Sequence, residues 1–230
     1  MLANHNSKYR KPTLTREQNG YYIARKKMVD QQLRQQIKDE RVLQAMSLIP
    51  RDRFVPEALI SQAYSDHPLN IGEGQTISQP LIVGMMTELL NLKGREKILE
   101  IGTGSGYQAA ILCELAKHVY SIERLDKLSN RARKTLYELG YVNFTLRIGD
   151  GTLGWPENGP YDGIIVTAGA PVIPDKLREQ LADSGRLIIP VGGGETQVLK
   201  LITRTGETFK EEDITGCRFV KLIGKNGWQN

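Results

Sequence analysis

Short apolar segments alternate with amphipathic segments along the central part of the chain. The apolar segments have the length of β-strands, and we predict strands at residues 97–101, 118–123, 144–148, 161–167 and 186–191. The intervening segments favour helix, and we predict helices at residues 106–117, 126–139 and 174–182. This alternation, with tight glycine turns, is typical of a doubly wound α/β fold with a mostly parallel sheet and helices on both faces.

A helical region precedes the alternating pattern. Apolar positions repeat at helical spacing from Val29 to Ile37, and Asp39 is a predicted N-cap for a second helical segment. Residues 51–74 have no regular pattern and are rich in turn-forming residues. They lead into an apolar helix with Pro80 in its first turn. We therefore predict an N-terminal helical segment in front of the sheet.

Three apolar segments follow the alternating region. We predict strands at residues 197–204, 207–214 and 218–223, with a turn at Thr205 and Gly206. Strands joined by a hairpin pair antiparallel, so they would give the sheet an antiparallel edge. Ligands of open α/β sheets bind at the carboxyl ends of the strands, which is where we expect the functional site.

Length and composition fit one globular domain. The chain has 230 residues, 40% of them hydrophobic and 25% charged, which excludes collagen-like and wholly disordered classes. No apolar run has the length of a signal-peptide core or a membrane helix, so we expect a cytoplasmic protein. Cys113 and Cys217 lie outside any CxxC pattern, and the three histidines have no obvious carboxylate partners. The sequence therefore predicts neither a disulfide framework nor a metal site.

The net charge of +5 is concentrated at the N-terminus. Residues 1–27 contain seven basic side chains and one acidic side chain, a net charge of +6, whereas the rest of the chain has a net charge of −1. We interpret residues 1–27 as a basic leader that is flexible over about its first 20 residues. The basicity is therefore no argument that the main domain binds nucleic acid.

The sequence EIGTGSG begins at Glu100, where the first predicted strand of the sheet ends. Gly102, Gly104 and Gly106 allow the backbone to approach a ligand closely and point helix amides toward it. Tyr107 stands where the dinucleotide fingerprint has its third glycine, and the Glu100 carboxylate gains nothing from a pyrophosphate. An acid beside a glycine turn instead suits a ligand with an amino group and a carboxylate, such as the methionine moiety of S-adenosyl-L-methionine. The alternative is a simple strand-to-helix turn.

Acidic residues also end the next two predicted strands. Glu123 lies about twenty residues after the glycine turn, from where a carboxylate can bind both hydroxyls of a ribose. Asp150, followed by Gly151, could accept a hydrogen bond from an adenine amino group, although an Asp-Gly pair is also an ordinary turn. Together with the glycine turn, these strand ends predict a nucleoside site.

Methyl transfer from a sulfonium needs mainly an oriented nucleophile. The strand reading YDGIIVTAGAP lacks the Asn/Asp-Pro-Pro-aromatic motif common in methyltransferases of exocyclic amino groups. Neither cysteine follows a proline, as the nucleophile of pyrimidine-carbon methyltransferases often does. A carboxylate with an ordinary pKa of about 4 is ionised at pH 7 and needs no general base. The sequence shows no His/Asp or Cys/His catalytic pair, which fits a carboxylate acceptor.

A second polar cluster precedes the apolar helix that contains Pro80. It consists of Gln75, Thr76, Ile77 and Ser78. Hydroxyl groups there could donate hydrogen bonds to an acceptor carboxylate and orient it. The alternative interpretation is that Ser78 is the N-cap of the helix.

Three blocks of sequence resemble the protein-L-isoaspartate O-methyltransferase family. They are the run from RDRFVP at Arg51 to TISQP, the segment LEIGTGSGYQAAIL from Leu99, and YDGIIVTAGAP from Tyr161 together with GRLIIPVG from Gly185. The resemblance extends over residues 28–223. The glycine motif is shared with most class I methyltransferases, whereas the TISQP block is more specific.

The resemblance implies a Rossmann-like methyltransferase sheet, and together with the basic leader, which has no counterpart in the family, it predicts a division of the chain. A leader at residues 1–27 would precede one domain at residues 28–230. The parts of that domain would be a substrate-side helical segment, a cofactor-binding core and C-terminal strands, at residues 28–92, 93–191 and 192–230. One departure from the family is Lys221 in RFVKL, where many members have proline.

The resemblance also implies an activity. The free carboxylate of an L-isoaspartyl residue in a damaged protein or peptide would take the methyl group of S-adenosyl-L-methionine, leaving S-adenosyl-L-homocysteine. The methyl ester then closes to a succinimide, whose hydrolysis returns some aspartate, so the role would be protein repair. No metal, nucleic acid or membrane would take part, and we expect a monomer.

The family's motifs assign roles residue by residue. The methionine-binding turn would be Glu100, Gly102, Gly104 and Gly106. Glu123 would bind the ribose, and Asp150 and Gly151 would lie on the adenine side. Thr76 and Ser78, with Gln75 and Ile77, would form the acceptor side, with the serine beside the transferred methyl group.

Three other functions remain open on the residues alone. A class I methyltransferase for RNA or a small acid would share the cofactor motifs. A nicotinamide-dependent oxidoreductase would share the fold but is disfavoured by Glu100 and Tyr107. A binding module without activity is the least favoured, because the cofactor motifs are intact.

Overall fold

Nine β-strands form two sheets in the computed structural model, which describes residues 21–229. The strands are β1 (Leu69–Gly72), β2 (Gln75–Ile77), β3 (Lys97–Ile101), β4 (His118–Glu123), β5 (Phe144–Ile148), β6 (Tyr161–Val166), β7 (Leu181–Gly192), β8 (Gln197–Thr205) and β9 (Thr208–Cys217). β1 and β2 form a small antiparallel hairpin, and the other strands form one sheet in the order β5-β4-β3-β6-β7-β8-β9. The flexible tail predicted for the first 20 residues lies outside the described residues.

The central strands of the large sheet are parallel. β3 is parallel to both β4 and β6, β5 is parallel to β4, and β7 is parallel to β6. β8 and β9 are added antiparallel at one edge. The prediction of a doubly wound, mostly parallel sheet with an antiparallel edge is therefore confirmed. The winding direction changes between β3 and β6, and the carboxyl ends of the strands border a crevice there.

The helices lie before and between the strands. They are α1 (Tyr22–Lys27), continued as a π-helical segment (Met28–Leu33), α2 (Glu40–Leu48), α3 (Pro80–Leu89), α4 (Tyr107–Leu115), α5 (Asp126–Glu138) and α6 (Asp175–Arg178). Asp39 is the N-cap of α2, as predicted, and its carboxylate accepts a hydrogen bond from the Arg41 amide at 2.9 Å. α1 lies within the predicted basic leader, where Arg25 is buried and donates to the Ser47 carbonyl at 2.7 Å.

Both faces of the sheet are covered. Successive strand residues face two different apolar cores, since Ile98 and Ile165 belong to one core and Leu99 and Ile164 to the other. The first core includes buried side chains of α3, α4 and α5, and the second includes one from α6. Burial on both faces explains why the central strands are almost continuously apolar.

The helix predicted for residues 174–182 is wrong in its second half. α6 ends four residues earlier, and β7 begins at Leu181 rather than at residue 186. The reason is strand pairing: the Tyr161 amide donates to the Gln180 carbonyl at 2.8 Å, and Leu181 is in register with Tyr161. Pairing with β6 therefore outweighs the local preference for helix.

The strand predicted for residues 218–223 is also wrong. Within the described residues this segment makes isolated bridges, Lys221 with Gly169 and Ile223 with Trp228, and joins no sheet as a strand. It bridges Gly169, three residues beyond the end of β6, and its residues 220–223 line the crevice. The segment therefore borders the crevice, which sequence periodicity does not reveal.

The longest helix among residues 21–229, α5, has 13 residues and a polar composition. No helix in that part of the chain combines the length and apolar character needed to cross a bilayer.

Candidate active site

A cleft of about 910 Å³, counting its open mouth, lies at the carboxyl ends of β3, β4 and β6. Its lining includes residues 75–78, the glycine turn at 101–105, the end of β4 at 122–125, and residues 220–223. The structure brings most of the predicted site residues to this cleft. They are Gln75, Thr76, Ile77, Ser78, Gly102, Gly104, Glu123 and Gly151.

The glycine turn is locked to the end of β6. Gly102 has φ +95°, and a Cβ atom there would lie 2.4 Å from Thr167 Oγ1. The Thr167 hydroxyl donates to the Gly102 carbonyl at 2.6 Å. Both the backbone conformation and the close approach therefore require glycine. Thr167 and Ala168 also line the cleft, and their place at the end of a predicted strand is the sequence signal that would have found them.

Glu123 reaches the cleft from the end of β4. Its Oε2 accepts a hydrogen bond from the Gly104 amide at 2.8 Å, and its Oε1 accepts from the Leu125 amide at 2.9 Å. The residue is only 7% exposed. A carboxylate has about four acceptor positions, so each oxygen keeps a free one. The two amides fix the carboxylate where a pair of ligand hydroxyls can bind it.

Glu100, predicted to contact a ligand amino group, does not line the cleft. Its side chain is fully buried, and the Ser121 hydroxyl donates to its Oε2. Burial raises the pKa of Glu100 to about 8. The Ser121 hydrogen bond lowers this pKa, and the nearby charge of Glu123 raises it, but both effects are smaller than that of burial. The carboxyl group therefore lies beneath the turn and supports it from the core side.

Replacing Glu100 with Gln is expected to flatten the pH dependence of stability. The folded-state pKa of about 8 lies above the ordinary value of 4.5, so between these values the folded chain binds more protons than the unfolded chain. The contribution of this group to the free energy of unfolding is therefore full at low pH and lost as pH rises toward about 8. Melting temperatures measured from about pH 5 to about pH 8 should fall less in Glu100→Gln than in the wild type.

Glu207→Gln is a matched control, because Glu207 is an exposed residue in the turn between β8 and β9. This variant should keep the wild-type pH dependence. An equal fall of melting temperature in Glu100→Gln and in the wild type would contradict the assignment.

Two further predicted residues lie outside the cleft lining. Gly106 is the N-cap of α4 with φ +90°, and a Cβ atom there would lie 3.1 Å from Ala132 Cβ, so it packs α4 against α5. Asp150 caps a short 3₁₀ turn: its Oδ1 accepts from the amide and hydroxyl of Thr152 at 2.9 and 2.7 Å. Its Oδ2 accepts from the Lys225 amide at 2.7 Å. In this structure Asp150 thus joins the end of β5 to the C-terminal segment.

Burial acts to raise the pKa of Asp150, but the hydrogen bonds from Lys225 and Thr152 hold it below its ordinary value. The carboxylate is therefore ionised at neutral pH, as these donors require.

The acceptor-side residues lie on the β1–β2 hairpin and on the loop that leads into α3. Arg51, which is fully buried, donates to the Ser78 carbonyl at 2.8 Å and to the Ala63 carbonyl at 2.8 Å. Its guanidinium carbon also lies 4.9 Å from the centre of the Tyr107 ring, and Tyr107 lines the cleft. A buried arginine therefore fixes the backbone that carries Ser78.

The interpretation of Ser78 as the helix N-cap is wrong. The N-cap of α3 is Gln79, without a side-chain capping bond of its own. Asp66 supplies the cap: its carboxylate accepts from the Leu81 amide at 2.9 Å and from the Gln79 side chain at 2.7 Å. Among residues 21–229, no hydrogen bond involves the Ser78 hydroxyl, and Ser78 is one of the residues that line the cleft.

The cleft suits S-adenosyl-L-methionine. Glu123 offers acceptors for ribose hydroxyls, and the backbone of the glycine turn is open to close approach. Ile101, Ile122 and Leu222 supply apolar walls for a flat base. Among the described residues, no group of three His, Cys, Asp or Glu side chains could hold a metal ion.

The doubly wound sheet and a nucleoside cleft over its glycine turn define a class I methyltransferase that uses S-adenosyl-L-methionine. A family model, protein-L-isoaspartate(D-aspartate) O-methyltransferase, matches residues 23–227. The chain belongs to the protein-L-isoaspartate O-methyltransferase family, the repair methyltransferases of isoaspartyl residues. The fold, cofactor and enzyme class predicted from the sequence are thereby confirmed.

Relatives support the same assignment. The chain is 59% identical over 211 residues to the protein-L-isoaspartate O-methyltransferase of Geobacter metallireducens, covering 91% of this chain and 98% of the relative. It is 58% identical to that of Syntrophus aciditrophicus, covering 89% and 95%. A solved protein-L-isoaspartate O-methyltransferase superposes with a TM-score of 0.80 at 29% identity, covering 88% of this chain and 67% of that one.

A second solved structure carries a ligand. It is a Plasmodium falciparum protein described as a protein-L-isoaspartate O-methyltransferase, in complex with S-adenosyl-L-homocysteine. The TM-score is 0.75 at 26% identity, covering 86% of this chain and 98% of that one. The relation extends over nearly the whole of both chains.

Proposed function

We propose that the cleft holds S-adenosyl-L-methionine on one side and an L-isoaspartyl carboxylate on the other. The observation that carries this proposal is that one cleft is lined by both the glycine turn with Glu123 and the acceptor-side residues 75–78. The cofactor supplies a methyl group on a positively charged sulfur. The residues on the two sides of the cleft therefore need only bring the methyl donor and the acceptor carboxylate together.

The cofactor side would be formed by the glycine turn and the acids around it. Gly102 and Gly104 bring the backbone close to the methionine moiety, and Glu123 accepts hydrogen bonds from the ribose. Gly151 lies on the adenine side, where a Cβ atom would lie 2.4 Å from Ile101 Cγ2. Glu100, Gly106 and Asp150 support this side from beneath and behind it.

The acceptor side would orient the attacking carboxylate. The hydroxyls of Thr76 and Ser78 donate hydrogen bonds to it, and Gln75 and Ile77 shape the wall around it. One carboxylate oxygen forms the new bond to the methyl carbon as the carbon–sulfur bond breaks. Because the acceptor is already ionised at neutral pH, no side chain has to remove a proton. Orientation and exclusion of water supply the rate enhancement.

The same proposal assigns the parts of the chain. Residues 28–92 supply the acceptor side, residues 93–191 the cofactor side, and residues 192–230 the antiparallel edge and a segment beside the cleft. The substrates are damaged proteins and peptides, and the methyl ester continues through a succinimide to repair. A monomer in the cytoplasm that binds neither nucleic acid nor membrane remains our expectation.

A peptide assay tests this function directly. We expect methyl transfer to an L-isoaspartyl peptide but not to the same peptide with normal aspartate, and the label should be released by mild alkali, as an ester is. Equal labelling of both peptides would contradict the proposal. Label that survives mild alkali would indicate an acceptor other than a carboxylate, such as a base in RNA.

A further inference from the structure

Residues 218–229, of which 220–223 line the cleft, form a segment that we call the C-terminal strap. It carries three basic side chains and no acidic one. They are Arg218, Lys221 and Lys225. Of these, Lys221 lines the cleft. The strap therefore places a positive charge beside the cleft.

Backbone hydrogen bonds hold the strap at the end of β6. The Gly169 amide donates to the Val220 carbonyl at 2.7 Å, and the Leu222 amide donates to the Gly169 carbonyl at 2.8 Å. Neither bond uses the backbone amide of residue 221. Proline has no backbone N–H, so either lysine or proline at this position is compatible with the same strap backbone. The difference between them at this position is the side chain.

The Lys221 side chain extends from the cleft lining toward Trp228. Its Nζ lies 5.2 Å from the centre of the Trp228 ring. The indole is fixed in turn, because its Nε1 donates to the Gly169 carbonyl at 3.0 Å. Lys221 is exposed, and among residues 21–229 no carboxylate lies within ion-pair distance of it. Its ammonium group therefore keeps its hydrogen-bond donors for a ligand.

The other charges around the cleft do not neutralise Lys221. Glu123 is nearly buried, and both of its oxygens are engaged by backbone amides. Arg124, also in the lining, is exposed and adds a second positive charge. A substrate segment that enters the mouth thus meets a positive potential, which favours segments carrying negative charge.

We propose that Lys221 is a specificity-determining residue that favours isoaspartyl residues flanked by acidic side chains. The inference rests on the proposed function, because it assumes that the isoaspartyl segment enters this cleft. The acceptor carboxylate lies deeper, beside Ser78, and the flanking acid pairs with the ammonium group at the mouth. An exposed charge pair of this kind changes kcat/KM by about two- to five-fold at low ionic strength.

Two isoaspartyl peptides that differ in their flanking residues, Glu on both sides or Gln on both sides, test the proposal. The ratio of kcat/KM between the Glu and Gln peptides should be about two- to five-fold in the wild-type enzyme. It should fall toward one in Lys221→Gln, where Arg124 remains, and lower still in Lys221→Glu. Salt at about 0.5 M should reduce the wild-type ratio, because exposed charges are screened.

The matched control is Lys117→Gln, which removes the same charge. Lys117 is exposed and directly precedes β4, at the opposite end of the sheet from the cleft. This variant should keep the wild-type ratio. An equal ratio in the wild type and Lys221→Gln would overturn the proposal. If the wild type methylated neither peptide, the proposed function itself would fail, which separates the two failures.

Discussion

Replacing Glu123 with Gln is expected to raise the dissociation constant for S-adenosyl-L-homocysteine by about 10- to 100-fold, the worth of a hydrogen bond to a charged group. The amide keeps the size of the side chain but removes the charge and puts a donor where an acceptor is needed. One of the two backbone amides, from Gly104 or Leu125, would also lose its best partner. Isothermal titration with S-adenosyl-L-homocysteine measures the effect without turnover.

Asp126→Asn is the control for this prediction. Asp126 is an exposed carboxylate at the start of α5, three residues further along the same connection, and it does not line the cleft. It should leave the dissociation constant within about two-fold of wild type, the effect of a distant exposed charge. An unchanged affinity in Glu123→Gln would contradict the placement of the ribose at Glu123. An equal loss in both variants would instead indicate a general effect of charge.

Replacing Ser78 with Ala is expected to lower kcat by about 10- to 100-fold at saturating cofactor, with little change in stability. The loss corresponds to one hydrogen bond donated to a charged acceptor. The free energy of unfolding should hardly change, because the hydroxyl makes no hydrogen bond within residues 21–229 and does not cap α3. Initial rates with an isoaspartyl peptide and a thermal melt measure both quantities.

Asp66→Ala is the control for Ser78→Ala, because it should lower stability more and turnover less. Removing the carboxylate that caps α3 should cost about 1 kcal/mol in the free energy of unfolding. Turnover per folded molecule should fall less than in Ser78→Ala, because the hydroxyl remains. If Ser78→Ala melted lower while its kcat held, the serine would be structural and its orienting role would be wrong.

The sequence alone predicted the parallel centre of the sheet and the cofactor class. The strands over residues 97–101, 118–123 and 144–148 have the predicted bounds, because buried parallel strands are short apolar runs ended by glycine or acidic residues. The glycine turn and Glu123 follow such strands directly. Parallel strands bring their carboxyl ends to one edge, so local sequence placed these residues together.

The tertiary structure decided which of these residues face the ligand. Glu100 and Glu123 both end a strand, but one is buried beneath the turn and the other lines the cleft. Glu100 is in register with Ser121 and so lies on the same face as Glu123, but Glu123 stands two residues further toward the carboxyl edge of the sheet, where the cleft lies. Tertiary structure also places Asp150, whose partner Lys225 is 75 residues away in sequence.

Long-range contacts also decided the acceptor side. The local sequence predicts Ser78, two residues before Pro80, as the helix cap. In the structure Asp66 caps α3 instead, because the fold brings its carboxylate against the start of that helix. The C-terminal strap reads as a strand because it is apolar, yet β9 forms the edge of the sheet and the strap lines the cleft instead. Sequence periodicity records how far a segment is buried but not what it is buried against. The sequence alone therefore predicted the methyltransferase fold and its cofactor, and packing determined which of the predicted side chains line the cleft.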